Sequence, residues 1–308
     1  MTVKQVNTPS FKLPNGDIPA IGYGTGTKWQ HLKKGRAEDI RTTLDENLSN
    51  AISQAIKLGV THIDTAEIYT THIEVAHGIK QSGIERSKIW ITDKYSPGYG
   101  SFPAPSKTPY EAIKTALREL EVEYIDLYLI HAQFFKPELT HGVTIEQAWA
   151  DLEKAHKEGF VKNIGLSNFD IPHIEKILKV ASVKPSVLQI EFHAYLFNQS
   201  PGIIEYAKKN DILVEAYGPL SPVIRASGGP LDPVLKKLGE KYGKNEAQVL
   251  LRWVYQQGIL PITTSSSAQR ITEALAIFEF ELEQADVDLI TKVGSEHHFR
   301  AFFPDFDK

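Results

Sequence analysis

Four side chains with proton chemistry lie at the ends of short apolar runs in the first half of the chain. Asp64 and Tyr69 lie in IDTAEIY, Lys94 in ITDKYS and His131 at the end of DLYLIH. A lysine directly after an apolar strand needs a solvated or paired charge, and Asp64 could be its partner. The ammonium beside a phenol would then lower the pKa of Tyr69 from its usual value of about 10. These residue types predict a tyrosine that donates a proton to an oxygen.

The four residues need a scaffold that brings separate strand ends together. Runs typical of β-strands alternate along the chain with amphipathic runs of helical length. The strand-like runs are 20–24, 61–64, 89–92, 125–130, 161–166, 187–191, 212–216 and 259–262. The helix-like runs are 46–58, 73–81, 109–121, 145–158, 171–180, 201–210, 245–257 and 268–278. This alternation predicts an α/β fold, a (β/α)8 TIM barrel whose catalytic groups lie at the carboxyl ends of its strands.

The connections between these runs predict further features. Asn15-Gly16 between two extended runs indicates an N-terminal β-hairpin. The irregular stretches 94–108 and 217–231 are long enough to be functional loops. The aromatic tail HHFRAFFPDF is expected to fold over the mouth of the barrel. We find no linker, so residues 1–308 are expected to form one domain.

An open doubly wound sheet is the rival architecture. Such a sheet normally carries a glycine-rich first turn that binds a dinucleotide. The stretch GYGTG at 22–26 lacks the third glycine of that motif and a helix directly after it. The closed barrel is therefore preferred.

Composition excludes several classes of function. The net charge of −4 disfavours a nucleic-acid partner, and no apolar run of membrane-spanning length occurs. The absence of cysteine excludes disulfides, thiolate metal sites and cysteine nucleophiles. The histidines have no shared metal-ligand spacing, so no metal is expected. The N-terminal stretch has no apolar segment typical of a secretory signal, and a cytoplasmic location is expected.

The motifs, taken in order, resemble the aldo-keto reductase family over nearly the whole chain. Besides the three motifs already quoted, the resemblance is carried by VKNIGLSNFD, VLQIEFHAYL, LVEAYGPL, AQVLLRWVYQQGILPITTSS and RITEAL. It implies a catalytic tetrad of Asp64, Tyr69, Lys94 and His131. NADPH would deliver hydride to a carbonyl carbon while Tyr69 protonates the oxygen. GTGTKW, TDKYSPG, LPITTSS and RAFF are similar to fungal members acting on activated ketones, among them α-keto amide and conjugated polyketone (ketopantoyl lactone) reductases.

The resemblance also implies which residues contact the cofactor. The implied contacts are Gly24, Thr25, Gly26, Asp64, Ser167, Asn168, Gln189, Tyr217, Gly218, Pro219, Leu220, Ser221, Thr264, Ser265, Ser266, Arg270 and Glu273. Tyr217 would stack on the nicotinamide, and the guanidinium of Arg270 would meet the 2′-phosphate. Thr264 stands where many members have lysine, which implies a weaker preference for NADPH.

The substrate is expected to be a small carbonyl compound held by an aromatic mouth. The predicted substrate contacts are Lys28, Trp29, Tyr69, His131, Phe134 and Phe302. An aromatic wall favours flat, apolar or conjugated carbonyls such as α-keto esters, α-keto amides, diketones or ketopantoyl lactone-like compounds, besides aldehydes. The protein is expected to be a monomer or a weak homodimer.

Two other functions remain open. The chain could be a catalytically weak, NADPH-binding regulatory subunit of the same fold. It could also be a barrel aldolase in which Lys94 forms a Schiff base. That chemistry needs a neutral amine, whereas Asp64 beside Lys94 would keep the ammonium protonated.

Overall fold

The computed structural model describes residues 8–30, 40–198 and 200–307. The prediction that the chain has no secretory signal concerns the N-terminal stretch. Its first residues, 1–7, lie outside the described residues. Within the described residues, no helix has the length and apolar character needed to cross a membrane.

An antiparallel hairpin precedes the barrel, as Asn15-Gly16 predicts. Its strands are β1 (Ser10–Leu13) and β2 (Gly16–Pro19). Gly16 has φ of 111°, in the left-handed region where glycine is favoured. Ile18 packs with inward-facing barrel residues such as Leu127 and Val187, so the hairpin closes the amino-terminal end of the barrel.

Eight parallel strands form the closed barrel that the alternation predicts. They are β3 (Gly22–Gly24), β4 (His62–Asp64), β5 (Trp90–Tyr95), β6 (Ile125–Ile130), β7 (Val161–Ser167), β8 (Val187–Glu191), β9 (Leu213–Tyr217) and β10 (Leu260–Thr263). Each strand pairs with the next in the chain, and β10 pairs with β3 to close the ring. Every predicted strand-like run overlaps one of these strands, and the fold prediction is confirmed.

Helices cover the outside of the barrel. Their bounds are Glu46–Leu58, His72–Ser82, Pro109–Glu119, Ile145–Lys157, Ile171–Val180, Ile203–Lys209, Ser221–Ile224, Asp232–Tyr242, Glu246–Gln256, Ala268–Leu275 and Gln284–Ser295. Among these bounds, the sequence does not predict Ser221–Ile224, Asp232–Tyr242 and Gln284–Ser295. The first is only one turn long, and Gly239 weakens the helical pattern of the second.

The pleat of β5 decides which of its side chains face the barrel interior. Lys94 points inward to Asp64, whereas the neighbouring Asp93 points outward to His72 on the helix layer. Successive side chains of a strand alternate between its two faces. β5 extends through Lys94 to Tyr95, so the lysine is held by the strand itself.

Candidate active site

Lys94 is fully buried at the carboxyl end of β5, and its ammonium bonds to Asp64 and Thr65. Nζ donates to both carboxylate oxygens of Asp64, at 2.7 and 2.8 Å, and to the carbonyl oxygen of Thr65 at 2.8 Å. Burial lowers the pKa of Lys94, but Asp64 and Tyr69 outweigh it, so the pKa is raised. Lys94 therefore stays protonated at neutral pH, which disfavours a Schiff-base role.

Tyr69 and His131 lie together beside this ion pair. The Tyr69 hydroxyl is 3.4 Å from Nε2 of His131, and the two rings meet edge to face with centroids 5.6 Å apart. Lys94 Nζ lies 5.2 Å from the centre of the Tyr69 ring. The four residues predicted from separate strand ends thus meet around one point.

The pKa of Tyr69 is shifted in the direction opposite to the predicted one. Burial raises the pKa of Tyr69, while Lys94 lowers it to a smaller extent. The predicted lowering is wrong because burial outweighs the effect of Lys94, and the charge of Asp64 also raises the pKa of the phenol. Burial, with Lys94, also holds the pKa of His131 well below its usual range. At neutral pH the site contains a neutral phenol and a neutral imidazole.

The residues implied for the nicotinamide end form a connected hydrogen-bond network. Asn168 Nδ2 donates to the His131 carbonyl oxygen at 2.9 Å and to Ser167 Oγ at 3.0 Å. The Tyr217 hydroxyl donates to Asn168 Oδ1 at 2.6 Å. Gln189 Nε2 donates to Asp64 Oδ2 at 2.8 Å, which joins this network to the ion pair. The structure therefore brings these predicted residues into one network with His131 and Asp64.

Glu215 is a buried member of the site that the sequence does not predict. It accepts a hydrogen bond from Gln189 Nε2 at 2.8 Å. Burial, and then the charge of Asp64, raise its pKa to about 8. The sequence does indicate its location, because Glu215 lies two positions before Tyr217 and so shares the same face of β9.

Gly24, Thr25 and Gly26 form the end of β3 and the turn after it. Thr25 is buried, and its hydroxyl is 3.1 Å from both the Asp64 carbonyl oxygen and Thr71 Oγ1. A Cβ atom at Gly26 would lie 2.7 Å from the ring of Tyr69. This turn therefore passes directly against the phenol.

A cavity of about 360 Å³ lies between β3 and the loop after β10. The predicted cofactor residues that line it are Leu220, Thr264, Ser265, Arg270 and Glu273. Asn245 and Gln248 also line it and were not predicted, although they are the two members of a helix capping box. They bind Glu273, through its carboxylate at 3.1 Å and its carbonyl oxygen at 3.0 Å.

The turn after β9 fits a phosphate group. Gly218, Pro219, Leu220 and Ser221 form this turn, and Gly218 has φ of 65°. A Cβ atom at Gly218 would lie 3.2 Å from Ser221 Oγ. That hydroxyl is buried and has no hydrogen-bond partner among the described residues. The binding of a dinucleotide is compatible with three features of this region. They are the small Gly218, the unpaired Ser221 hydroxyl and the adjacent cavity that Arg270 lines.

Lys28 and Trp29 are predicted for the substrate wall, whereas their hydrogen bonds join them to the loop after β10. Trp29 is buried, and its Nε1 donates to Thr264 Oγ1 at 3.1 Å. Lys28 Nζ donates to Ser266 Oγ at 3.2 Å. Since Thr264 lines the cavity, Trp29 lies at its edge, and Lys28 is bonded to the same loop two residues further on.

The C-terminal tail lies over the mouth of the barrel, as its aromatic composition predicts. The carboxylate of Glu191 accepts hydrogen bonds from the backbone amides of Ala301 and Phe302, at 2.8 and 2.9 Å. Phe302 meets the ring of Tyr217 edge to face, with centroids 5.4 Å apart. Rings from three segments close the other side, namely Tyr99, Phe134, Phe303 and Phe306.

A closed parallel barrel that gathers a phenol, an imidazole and a buried Lys–Asp ion pair at the carboxyl ends of its strands has the architecture of a TIM-barrel enzyme. Residues 20–295 match the model of the Aldo/keto reductase family, and the chain belongs to this family. It is therefore an enzyme that acts on carbonyl groups with a nicotinamide cofactor.

Several named relatives are similar to almost the whole chain. The "NADPH-dependent alpha-keto amide reductase" of Saccharomyces cerevisiae is 44% identical over 294 residues, which are 93% of this chain and 91% of the relative. The "Glyoxal reductase" of Bacillus subtilis is 37% identical over 93% of both chains. A solved structure of a Bombyx mori aldo-keto reductase in complex with NADP has a TM-score of 0.82, with 27% identity and 98% of both chains covered.

Proposed function

We propose that the chain is an NADPH-dependent reductase of activated ketones and aldehydes, with Tyr69 as the proton donor. One observation carries the proposal: the Tyr69 hydroxyl faces His131 at 3.4 Å, and the Tyr69 ring contacts the buried ammonium of the Lys94–Asp64 ion pair at 5.2 Å. A bound nicotinamide supplies the hydride in this chemistry. The chain's own residues then have to hold the carbonyl oxygen and protonate it.

Tyr69 suits this role because its burial keeps the phenol protonated until the reaction occurs. As negative charge develops on the carbonyl oxygen, the hydroxyl transfers its proton and becomes a phenolate. Lys94 lies close enough to stabilise that phenolate, and Asp64 holds the ammonium in place. Fixed charges in a dry site act strongly on a developing anion and need no reorganisation.

His131 orients the carbonyl oxygen in this proposal. A neutral imidazole carries one proton, and we assign it to Nε2, the nitrogen that faces the Tyr69 hydroxyl. From that position Nε2 donates a hydrogen bond to the same oxygen that Tyr69 protonates. Two converging donors hold the carbonyl in a single orientation.

A preference for NADPH is supported by two cations, one that lines the cavity and one that is bonded to the loop beside it. Arg270 lines the cavity, and Lys28 is bonded to Ser266 in the same loop. Thr264 stands where many family members have lysine. Lys28, which comes from the turn after β3, can supply a cation in place of that lysine. An ammonium and a guanidinium together suit a 2′-phosphate.

The substrate class is supported by the aromatic mouth and by the printed names of the relatives. Phe134, Phe302 and the rings around them form a wall for flat or conjugated carbonyls. Activated ketones are also the better hydride acceptors. We therefore favour α-keto amides, α-keto esters, diketones and ketopantoyl lactone-like compounds over simple ketones.

We further propose that residues 1–308 form one barrel domain. It acts in the cytoplasm as a monomer or weak homodimer on small carbonyl compounds. The hairpin that packs into the barrel and the tail that covers it support the single domain.

The test is an assay with a panel of carbonyl compounds. It measures the oxidation of NADPH and of NADH from the loss of absorbance of the reduced nicotinamide. The panel contains α-keto amides, α-keto esters, diketones, methylglyoxal, simple aldehydes and aldoses. We expect turnover with NADPH and a higher kcat/KM for the activated ketones. Tight NADPH binding without turnover on any carbonyl would instead indicate the regulatory subunit.

A further inference from the structure

A buried ionic cluster lies behind Lys94, on the outer face of β5. His72 Nε2 is 3.0 Å from Asp93 Oδ1, and His72 Nδ1 is 2.8 Å from Glu119 Oε2. Arg41 lies 3.5 Å from the second oxygen of Glu119. The side chains of His72 and Asp93 are almost completely buried. The cluster joins the start of one helix, a barrel strand and the end of a second helix.

His72 is an imidazolium in this cluster. Each ring nitrogen faces a carboxylate oxygen, and only the doubly protonated ring can donate to both. Burial by itself lowers the pKa of His72, but Asp93 and Glu119 outweigh it and raise the pKa to about 10. The cation therefore persists at neutral pH.

The cluster connects the two segments that carry the reacting groups. His72 follows Tyr69 by three residues, and Asp93 directly precedes Lys94. Between Tyr69 and His72 the backbone passes through Thr70, whose φ of 58° is uncommon for a β-branched residue. Such a turn persists only when its surroundings hold it, and the His72–Asp93 bond is one such restraint.

Helix stability does not account for this arrangement. His72 places a cation in the first turn of its helix, and Glu119 places an anion in the last turn of its own. Both charges oppose the helix dipole. Buried ion pairs also add little stability compared with apolar packing, whereas in some proteins they specify one arrangement of the elements that they join.

We propose that His72 is a positioning residue for carbonyl reduction. Its bridge from Asp93 to Glu119 sets the separation between the Tyr69 hydroxyl and the Lys94 ammonium. The proposal rests on the proposed function of Tyr69 as proton donor. It assigns no contact between His72 and the substrate or the cofactor.

The experiment compares His72→Leu with the milder Asp93→Asn, which keeps the shape of the side chain and removes its charge. kcat, KM for NADPH and the primary isotope effect with deuterated NADPH are measured on folded protein. We expect His72→Leu to lower kcat by roughly 10- to 100-fold, because a displacement of about 1 Å can cost that much. KM for NADPH stays unchanged, and the isotope effect on kcat increases because the chemical step becomes slower than product release.

Arg86→Met is the matched control. Arg86 forms a partly buried ion pair with Asp126 at 2.6 Å, between an outer turn and the amino-terminal end of β6. Breaking it should lower Tm without changing kcat or the isotope effect, because this end of a TIM barrel serves stability. The control therefore separates general destabilisation from mispositioning.

The outcomes separate this proposal from the proposed function. Asp93→Asn should change kcat and the isotope effect in the same direction as His72→Leu, but by a smaller amount. If His72→Leu does not fold, Asp93→Asn alone tests the proposal. If both variants keep the wild-type kcat and isotope effect, as Arg86→Met does, His72 is only structural and the proposal is overturned. If the wild-type protein has no reductase activity, or Tyr69→Phe retains it, the proposed function itself fails.

Discussion

The turn after β3 passes so close to the phenol that a Cβ atom on Gly26 would lie 2.7 Å from the ring of Tyr69. A separation under 3 Å forces one of the two groups to move. Tyr69 is half-buried and lies beside Lys94, so a displacement of its ring would change the geometry of the proposed proton transfer. Gly26 is thus a requirement of the site and not only of the backbone.

Gly26→Ala should lower kcat by about 100-fold, the effect expected for a displacement of roughly 1 Å at a reacting group. Gly83→Ala is the control, because Gly83 ends the helix His72–Ser82 and a Cβ atom there would meet nothing within 4 Å. Steady-state kinetics on an activated ketone measure both variants. Equal kcat values for the two variants would contradict the proposed contact.

Tyr69→Phe should lose about 10²- to 10⁴-fold in kcat, the range for removal of a general acid. NADPH binding, followed by quenching of protein fluorescence, should be retained. Tyr95→Phe is a matched control, because that buried hydroxyl has no hydrogen-bond partner among the described residues. A Tyr69→Phe variant with nearly normal kcat would exclude Tyr69 as the proton donor.

Arg270→Ala and Lys28→Ala should each raise KM for NADPH by roughly tenfold, since a hydrogen bond to a charged group contributes about 1.5–3 kcal/mol. KM for NADH should change little, because NADH lacks the 2′-phosphate. Lys12→Ala is a control, since Lys12 is an exposed cation in the hairpin, paired with Asp17. An equal effect on KM for both cofactors would show that these cations do not contact the 2′-phosphate.

Glu215 should make the protein less stable as pH rises. Its pKa is raised from 4.5 to about 8 in the folded chain, so the folded state binds the proton more tightly than the unfolded state does. The stabilisation from this proton is complete below about pH 4.5 and is lost as pH rises through about 8. Each unit of the shift corresponds to about 1.4 kcal/mol.

Glu215→Gln tests this dependence because the amide can still accept the hydrogen bond from Gln189. The free energy of unfolding is measured by denaturant titration at several pH values from 5 to 8. Relative to wild type, the variant should become progressively more stable over this interval. Parallel curves for the two proteins would mean that Glu215 does not titrate in this window.

The barrel and the positions of most proposed catalytic residues follow from local features of the sequence. Apolar alternation and helical periodicity are properties of consecutive residues, and they determine where each strand begins and ends to within a few residues. Once the strands are parallel, the positions of Asp64, Lys94 and His131 at strand ends bring them to one rim. The Asn15-Gly16 turn determines the hairpin in the same local way.

Only the tertiary structure decided which distant residues meet and how deeply they are buried. Trp29 bonds to Thr264, 235 positions away, and no periodic pattern relates the two. The direction of the pKa shift of Tyr69 depends on the water excluded from the whole site, so a pairwise argument with Lys94 had the wrong sign. The same holds for Glu215 and for the bridge of His72 to Asp93 and Glu119. Desolvation and long-range pairing are properties of the packed molecule, whereas periodicity is a property of the chain.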